Sequence, residues 1–211
     1  MIEHLPLLLS EQLRPSTLAD IPLPLGFIRS FERMVHNGGL LNMVFYGKPG
    51  IGKTSAARIL LRELDADFCE LNGSFNSGEK TMVKSIENFA HTVSLRGRPK
   101  VCFIDEADQM SVANQNALRY TIENTSGNTR FLFTANDISK LTNAIKSRCL
   151  PVCFDLKPLE AASFVDELTE RYGEKLQKLG LKIELQRIRE IVGLSFPDMR
   201  MIANRLELEA A

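Results

Sequence analysis

A glycine-rich segment near residue 50 contains the residue types that bind phosphate. It reads Gly47-Lys48-Pro49-Gly50-Ile51-Gly52-Lys53-Thr54, followed by Ser55. Glycines let backbone N–H groups curve around an anion, and a helix that begins here directs its positive end at that anion. Lys53 can reach the β- and γ-phosphates of a nucleotide, while Thr54 offers a hydroxyl to Mg²⁺. The segment therefore predicts a P-loop that binds ATP with Mg²⁺. It also predicts that the protein is an ATPase.

Two later apolar runs end in polar residues suited to the same chemistry. The run 101–104 ends at Asp105 and Glu106; we expect Asp105 in the Mg²⁺ shell and Glu106 to polarise the attacking water. The run 131–135 ends at Asn136, which can hold that water near the γ-phosphate. Adjacent acids on a loop are ordinarily only solvated, and an asparagine after a strand is ordinarily a turn residue. Both assignments therefore depend on the P-loop.

Short apolar runs alternate with longer amphipathic ones, which predicts strands and helices that position these residues. The predicted strands are 42–46, 68–71, 101–104, 131–134 and 151–154, and the predicted helices between them are 53–64, 79–95 and 111–124. Strands that alternate with helices favour an α/β fold, here a five-stranded parallel sheet covered by helices on both faces.

The two ends of the chain differ from this alternating region. Residues 1–26 are rich in Pro and Leu and predict an arm with short helical turns. After residue 155 the pattern is helical only, with helices predicted at 159–178, 184–193 and 197–209, the last with Pro197 in its first turn. We therefore expect an α/β nucleotide-binding domain over 1–155, which includes the arm, and a small all-helical lid domain over 156–211.

Composition excludes several classes of protein. Lys plus Arg and Asp plus Glu each number 26, so bulk charge does not indicate nucleic-acid binding, although a local basic face remains possible. No apolar run approaches the roughly 18 residues of a membrane span, and the first residues lack the basic region of a signal peptide. The four cysteines form no Cys-x₂-Cys pair, which favours reduced thiols over zinc or a disulfide. We expect a cytoplasmic protein without membrane contacts.

Three further motifs complete a resemblance to a known family. They are Leu13-Arg14-Pro15-Ser16-Thr17-Leu18, Ser147-Arg148-Cys149 and Phe196-Pro197-Asp198-Met199-Arg200. Together with the P-loop, the Asp-Glu-Ala-Asp box at 105–108 and Asn136, they resemble the clamp-loader ATPase subunits of the AAA+ superfamily, among them replication factor C small subunits and the clamp-loader subunits of tailed phages. The family usually has Tyr where Leu13 stands, and the Ser-Arg-Cys triplet is its most specific motif.

The resemblance implies roles for residues that would otherwise count as ordinary surface positions. Arg148 would be an arginine finger in the ATP site of a neighbouring subunit, a contribution of about 10³–10⁵ in turnover. Arg200 would be a second sensor of the γ-phosphate, and Arg14 with Pro15 would border the adenine. The predicted contacts with the DNA backbone are Lys80, Lys84 and Arg119. For Lys84 the family tends to have Arg, and a solvated helix face is an equally open interpretation of all three.

The resemblance also implies a function and partners. ATP binding would open a sliding clamp and load it on primer–template DNA, and hydrolysis would release it, within a ring of loader subunits that is pentameric at full length. The location would be the nucleoid, a host cytoplasm or, in a eukaryote, the nucleus. Family members continue into a collar domain after the lid, so we expect this chain to bind nucleotide but to hydrolyse it weakly without its assembly.

Two alternatives stay open on the sequence. One is another AAA+ ATPase of DNA replication or repair, such as a helicase loader or branch-migration motor, against which the Ser-Arg-Cys triplet argues. The other is a nucleotide-binding interaction module without its ring. Glu106 favours retained catalysis over this second alternative.

Overall fold

The structure is a computed structural model that describes residues 8–23, 25–74 and 79–210. The chain divides into two compact units. The sheet unit consists of Leu25–Lys48 and Lys53–Asp155, and the helical unit of Met1–Pro24, Pro49–Gly52 and Leu156–Ala211. The predicted division into domains at residues 155 and 156 stays a prediction.

A five-stranded parallel sheet forms the centre of the sheet unit. Its strands are β1 (Met43–Tyr46), β2 (Asp67–Asn72), β3 (Lys100–Asp105), β4 (Thr129–Ala135) and β5 (Leu150–Cys153). They lie in the order β2-β3-β4-β1-β5, and every pairing is parallel. The predicted α/β fold is thus confirmed, with strand ends that differ from the prediction by no more than two residues. Because the strands are parallel, the polar residues after β1, β3 and β4 meet at one edge.

The described helices run from the arm to the end of the chain. They are α1 (Leu9–Gln12), α2 (Leu25–His36), α3 (Lys53–Glu63), α4 (Glu79–His91), α5 (Val112–Asn124), α6 (Asn143–Lys146), α7 (Pro158–Lys178), α8 (Leu185–Ser195) and α9 (Met199–Ala210). Short 3₁₀ turns lie at Leu18–Asp20, Ala107–Gln109 and Ile138–Lys140. The sequence did not predict α2. None of the helices in the described ranges is long and apolar enough to cross a membrane.

Side-chain caps explain where several helices begin and end. Ser111 is the N-cap of α5, and its hydroxyl accepts a hydrogen bond from the Asn114 N–H. Helix α4 ends at His91 rather than at residue 95, and the Lys100 ammonium stabilises this end by donating to the carbonyls of Phe89 in the last turn and of Thr92 just after it.

The start of α9 differs from the prediction. Oδ1 of Asp198 accepts hydrogen bonds from the N–H groups of Arg200 and Met201, both at 3.0 Å. Asp198 therefore caps the helix, which begins at Met199, and Pro197 precedes the first turn instead of lying in it.

Both faces of the central part of the sheet are buried. One face packs on α4 and α5 through an apolar cluster that includes Phe131, Phe133, Ile86 and Leu118. On the other face, the Phe45 ring lies 5.4 Å from that of Phe31 in α2. Burial on both faces accounts for the near-continuous apolar runs of β3 and β4.

The helical unit has a core of its own. Leu9 and Leu13 of the arm pack in a buried cluster with residues of α7, α8 and α9, among them Leu176, Val192 and Leu206. The backbone N–H of Leu9 also donates to the Glu207 carboxylate at 3.2 Å. The arm and the three C-terminal helices therefore share one apolar core.

We predict that β3 contributes far more to stability than the edge strand β2 for the same substitution. Phe103 in β3 is fully buried, whereas Phe68 in β2 is 44% exposed. Phe103→Ala should lower the free energy of unfolding by about 3–5 kcal/mol through lost burial and a cavity. Phe68→Ala is the matched control and should cost less than about 1.5 kcal/mol. Urea unfolding followed by circular dichroism measures both, and equal losses would contradict this account of the core.

Candidate active site

The loop between β1 and α3 begins with a glycine in a conformation that residues with a side chain rarely adopt. Gly47 has φ 143°, and a Cβ there would lie 3.0 Å from Oδ1 and 3.1 Å from the backbone N of Asp155. The same Asp155 carboxylate accepts the Lys48 N–H at 2.9 Å. The first turn of the predicted P-loop is therefore held against Asp155, two residues after the end of β5.

Lys53 is a buried cation at the first position of α3. Its side chain is 7% exposed, and Nζ donates to Gly47 O and Lys48 O at 2.8 Å and to Asn136 Oδ1 at 2.9 Å. Burial lowers the pKa of Lys53, and neighbouring carboxylates oppose that shift. Three acceptors match the three N–H groups of an ammonium. Lys53 therefore joins the loop after β1 to the end of β4.

The next residue joins the loop to the end of β3. Thr54 Oγ1 donates to Asp105 Oδ1 at 2.9 Å. Thr134 in β4 also donates to this carboxylate oxygen, and its own oxygen accepts the Glu106 N–H at 2.9 Å. Thr134 thereby orients both predicted acids, a role that the sequence did not suggest.

Thr54 and Asp105 suit a magnesium ion by their chemistry. Hydroxyl and carboxylate oxygens are hard ligands, and Mg²⁺ in nucleotide sites is bound by one or two protein groups together with phosphate oxygens and water. Within the described ranges, no group of three His, Cys, Asp or Glu residues could hold a metal alone. The residues therefore fit Mg²⁺ bound together with a nucleotide, as in the predicted set.

Glu106 has an uncommon backbone conformation. Its φ of 54° and ψ of 43° lie in the left-handed region, which is costly for a residue with a side chain. The neighbouring strand leaves little freedom here: Gly73 N donates to Asp105 O at 2.7 Å, and a Cβ on Gly73 would lie 2.4 Å from Glu106 O. Gly73 on one side and Thr134 on the other thus fix the backbone of the two acids.

Other predicted residues of the P-loop lie in the helical unit. Gly50 O accepts the Met199 N–H at 3.0 Å. Gly50 has φ 77°, and a Cβ there would lie 2.0 Å from the Asp198 carboxylate. The N-terminus of α9 therefore contacts the loop segment Pro49–Gly52 next to Arg200, whose side chain is exposed. In the same segment Pro49 is exposed and Ile51 fully buried.

The remaining predicted nucleotide contacts are less tightly held. Ser55, in the first turn of α3, is half-buried. In the arm, Arg14 is exposed and forms an ion pair with Glu11 at 2.7 Å, and Pro15 is half-buried. Asn136 is exposed, and its amide oxygen faces Lys53. The predicted contact of Asn136 with water stays a prediction.

Arg148 lies after α6 and is held by several acceptors. Nε donates to Glu123 Oε1 at 3.0 Å, and Nη2 contacts the same oxygen. Nη1 donates to Ala144 O at 2.9 Å. The hydrogen bond from Arg148 is the main cause of the lowered pKa of Glu123, whose second cationic neighbour is Arg119. The guanidinium is therefore held by acceptors of the sheet unit, with 20% of the side chain exposed.

Two of the three predicted DNA contacts are exposed on neighbouring helices of the sheet unit. Lys84 on α4 and Arg119 on α5 are both exposed. The side chain of Lys80 lies outside the described residues, as does the preceding segment 75–78. Two exposed cations on neighbouring helices are compatible with a phosphate backbone and also with a solvated surface.

A family comparison agrees with this geometry. The model of the family "ATPase family associated with various cellular activities (AAA)" matches residues 43–154, from β1 to the residue after β5. The chain belongs to the AAA family. The predicted resemblance is thus confirmed, and the matched segment contains Lys53, Thr54, Asp105, Glu106 and Arg148.

The proteins whose sequences are similar to this chain include replication proteins. The replication factor C small subunit of Methanococcus maripaludis is 34% identical over 207 residues, which are 95% of this chain and 64% of the relative. Replication factor C subunit 3 of Saccharomyces cerevisiae is 36% identical over 203 residues, 93% of this chain and 58% of the relative. The chain thus spans slightly less than two thirds of the relatives' length.

Solved structures show the same fold. The Thermotoga maritima RuvB Holliday junction branch migration motor superposes with a TM-score of 0.72 at 21% identity, over 93% of this chain and 64% of that one. At this identity the likeness concerns the AAA fold alone.

Gln115 of this AAA chain is a buried polar residue that the sequence reasoning missed. It is 1% exposed. Nε2 donates to Met110 O at 3.1 Å and Lys140 O at 3.3 Å, and Oε1 accepts the Thr142 N–H at 2.7 Å. It ties the segment after Glu106 to the segment after Asn136. The available signal was a glutamine at helical spacing from the apolar Leu118 and Ile122.

We predict that Gln115→Leu destabilises the sheet unit despite the added apolar surface. It leaves the buried partners of the amide unpaired, which should lower the free energy of unfolding by about 1–3 kcal/mol. Asn116→Leu on the exposed face of the same helix is the control and should change it by less than about 0.5 kcal/mol. Thermal unfolding measures both, and an unchanged melting temperature for Gln115→Leu would show that the amide network is dispensable.

Proposed function

We propose that this chain is an ATPase subunit of a DNA polymerase sliding-clamp loader. The observation that carries the proposal is the hydrogen bond from Thr54 to Asp105, 2.9 Å long, which joins the P-loop to the paired acids in an AAA chain similar to replication factor C small subunits. In this proposal ATP binding opens the clamp and loads it on primer–template DNA, and hydrolysis releases it.

The nucleotide would be bound by the P-loop. The loop N–H groups and the Lys53 ammonium face the phosphates, and Lys53 exchanges one of its three protein acceptors for a phosphate oxygen. Thr54 and Asp105 would hold Mg²⁺, which would neutralise negative charge on the phosphates. Arg14 and Pro15 border the adenine. Arg200 lies one residue after the Met199–Gly50 contact and approaches the γ-phosphate from the N-terminus of α9.

Hydrolysis would depend on Glu106, the second of the two paired acids. Glu106 accepts a hydrogen bond from water and increases its nucleophilicity toward the γ-phosphorus. The water oxygen forms a bond to the γ-phosphorus while the bond from the γ-phosphorus to the bridging oxygen breaks. The water proton passes by way of Glu106 to the released phosphate, and ADP and inorganic phosphate leave. Asn136 orients the same water with its side-chain amide. Thr134 holds Asp105 and the Glu106 backbone in place, so the acids need little reorganisation.

Arg148 would act on a neighbouring subunit. Glu123 and the Ala144 carbonyl hold the guanidinium in one orientation within the sheet unit. A pre-ordered cation loses less entropy when it contacts the γ-phosphate of a neighbour's ATP. Turnover is therefore weak in the isolated chain and increases in a ring of loader subunits, which we propose to be pentameric at full length.

The other proposed partners are the clamp and primer–template DNA. Lys84 and Arg119 are the exposed cations for the DNA backbone, with Lys80 as a third candidate. Several copies around one strand add such contacts although each chain is neutral. The proposed location is wherever replication occurs, in the cytoplasm or the nucleus. The branch-migration alternative is supported by fold alone, so it ranks lower.

Phosphate release measured with and without the other components tests this proposal. We expect slow release by the chain alone and strong stimulation when clamp, primer–template DNA and the remaining loader subunits are added. Glu106→Gln should retain ATP binding and lower the stimulated rate by about 10²–10⁴, because the water loses its general base. Glu63→Gln, at the exposed end of α3, is the matched control and should not change the rate.

Two results would contradict the proposal. An unchanged rate in Glu106→Gln would remove the assigned base. Stimulation by DNA without any effect of clamp or loader subunits would favour another ATPase of DNA replication or repair.

A further inference from the structure

Two of the four cysteines face each other at the edge of the sheet. Cys69 of β2 is in register with Cys102 of β3 in a parallel pairing. Residues in register on neighbouring strands project to the same face of a sheet. Both cysteines indeed meet the same apolar cluster on the α4 face, Cys102 as a buried member and Cys69 as a half-buried neighbour.

The strand spacing suits a covalent bond between these residues. Adjacent strands are separated by about 4.7–4.9 Å, which falls within the range of about 4.4–6.8 Å between the Cα atoms of disulfides. In the sheet, β2 is an edge strand that pairs with β3. An edge strand can move toward its partner to reach the shorter Cβ separation of a disulfide without disturbing a second pairing.

The two thiols have complementary properties. Their mutual hydrogen bond is the main cause that lowers the pKa of Cys69, and the nearby Lys100 ammonium lowers it further. The same hydrogen bond and burial raise the pKa of Cys102. Lys100 is itself fixed by the carbonyls at the end of α4. Cys69 is thus the more accessible and more acidic thiol, as expected of the attacking member of a redox pair.

We propose that Cys69 and Cys102 form a site of reversible oxidation, at which a peroxide converts the facing thiols to a disulfide. The Cys69 thiolate attacks one peroxide oxygen, the O–O bond breaks, and Cys69 becomes a sulfenic acid while hydroxide or alkoxide leaves. The Cys102 sulfur then attacks the Cys69 sulfur, the S–O bond breaks and water leaves. The two thiols lose two electrons in total, and these electrons reduce the peroxide. A small dithiol reduces the disulfide back to two thiols and is itself oxidised to a disulfide.

The disulfide would lie close to the candidate active site without belonging to it. On β3, Cys102 is followed three residues later by Asp105, and on β2, Cys69 is followed three residues later by Asn72. Asn72 and Asp105 are in register with each other. Oxidation would therefore link the two strands just before they reach the paired acids. This site does not depend on the proposed clamp-loader function.

Thiol counting and peptide mapping test this proposal. All four cysteines are free in the structure. The reduced full chain is treated with hydrogen peroxide in native buffer, alkylated and digested with trypsin. We expect two of the four thiols to disappear and one linked pair of peptides, 63–80 with 101–119, that is lighter by two hydrogens than the sum of its members. Dithiothreitol should restore four thiols.

Variants separate the pair from general oxidation. Cys69→Ser should keep all three remaining thiols at the same peroxide concentration, because the reactive partner is missing. Cys102→Ala should form a sulfenic acid on Cys69 that dimedone traps, without a linked peptide. Cys153→Ser, at the end of β5, should form the same link as the wild type. Circular dichroism verifies that each variant is folded. If Cys102→Ala does not fold, the comparison of thiol loss between the wild type and Cys69→Ser still tests the proposal.

The proposal is overturned if the wild type keeps four thiols under peroxide. It is equally overturned if the linked peptides contain another cysteine, or if Cys69→Ser loses thiols as rapidly as the wild type.

Discussion

The ammonium group of Lys53 connects three parts of the candidate site. A buried ammonium without partners would cost several kcal/mol, so its three hydrogen bonds to Gly47, Lys48 and Asn136 are a requirement of the fold. The bond to Asn136 exists because β4 lies beside β1 in the sheet, whereas the other two bonds close the loop on itself. They fix the loop after β1, the first turn of α3 and the end of β4 relative to each other. Thr54 is then directed toward Asp105.

Further contacts hold the two acids, Asp105 and Glu106, in place beside this lysine. Thr134 shares its hydroxyl between the Asp105 carboxylate and the Glu106 N–H, and Gly73 approaches from β2. The left-handed conformation of Glu106 is held by neighbours on both sides. Such preorganisation places charged groups before a substrate arrives, so the chemistry requires little rearrangement. Gln115 extends the order to the segment that leads toward α6 and Arg148.

The sequence predicted features that depend on local pattern, and it did so well. Apolar runs located all five strands, since each is buried on a sheet, and glycines at fixed spacing located the P-loop. Contacts between residues that are far apart along the chain could not be predicted from the sequence. Asn136 was predicted to lie near the γ-phosphate, but its bond to Lys53 requires knowing that β4 and β1 are neighbours. Likewise, the Glu123–Arg148 pair spans 25 positions, and no local rule connects the two.

Other misses have local causes of their own. Helix α2 was not predicted because it begins within the Pro- and Leu-rich region and no clear N-cap marks its start. Pro197 is a plausible residue for the first turn of a helix. The Asp198 carboxylate is a better N-cap, so α9 begins after Asp198 and not at Pro197. Thr134 appeared to be an ordinary β-branched strand residue, and only the register of β3 beside β4 revealed its two hydrogen bonds.

Calorimetric titration of the isolated chain with ATP and Mg²⁺ tests the central role of Lys53 most directly. The account predicts one binding site in the wild type and an affinity about 10–150-fold lower in Lys53→Met, the loss of a charged hydrogen bond worth about 1.5–3 kcal/mol. Lys182→Met, on an exposed loop of the helical unit, should bind as the wild type does. A folded Lys53→Met variant that binds ATP as tightly as the wild type would contradict the account.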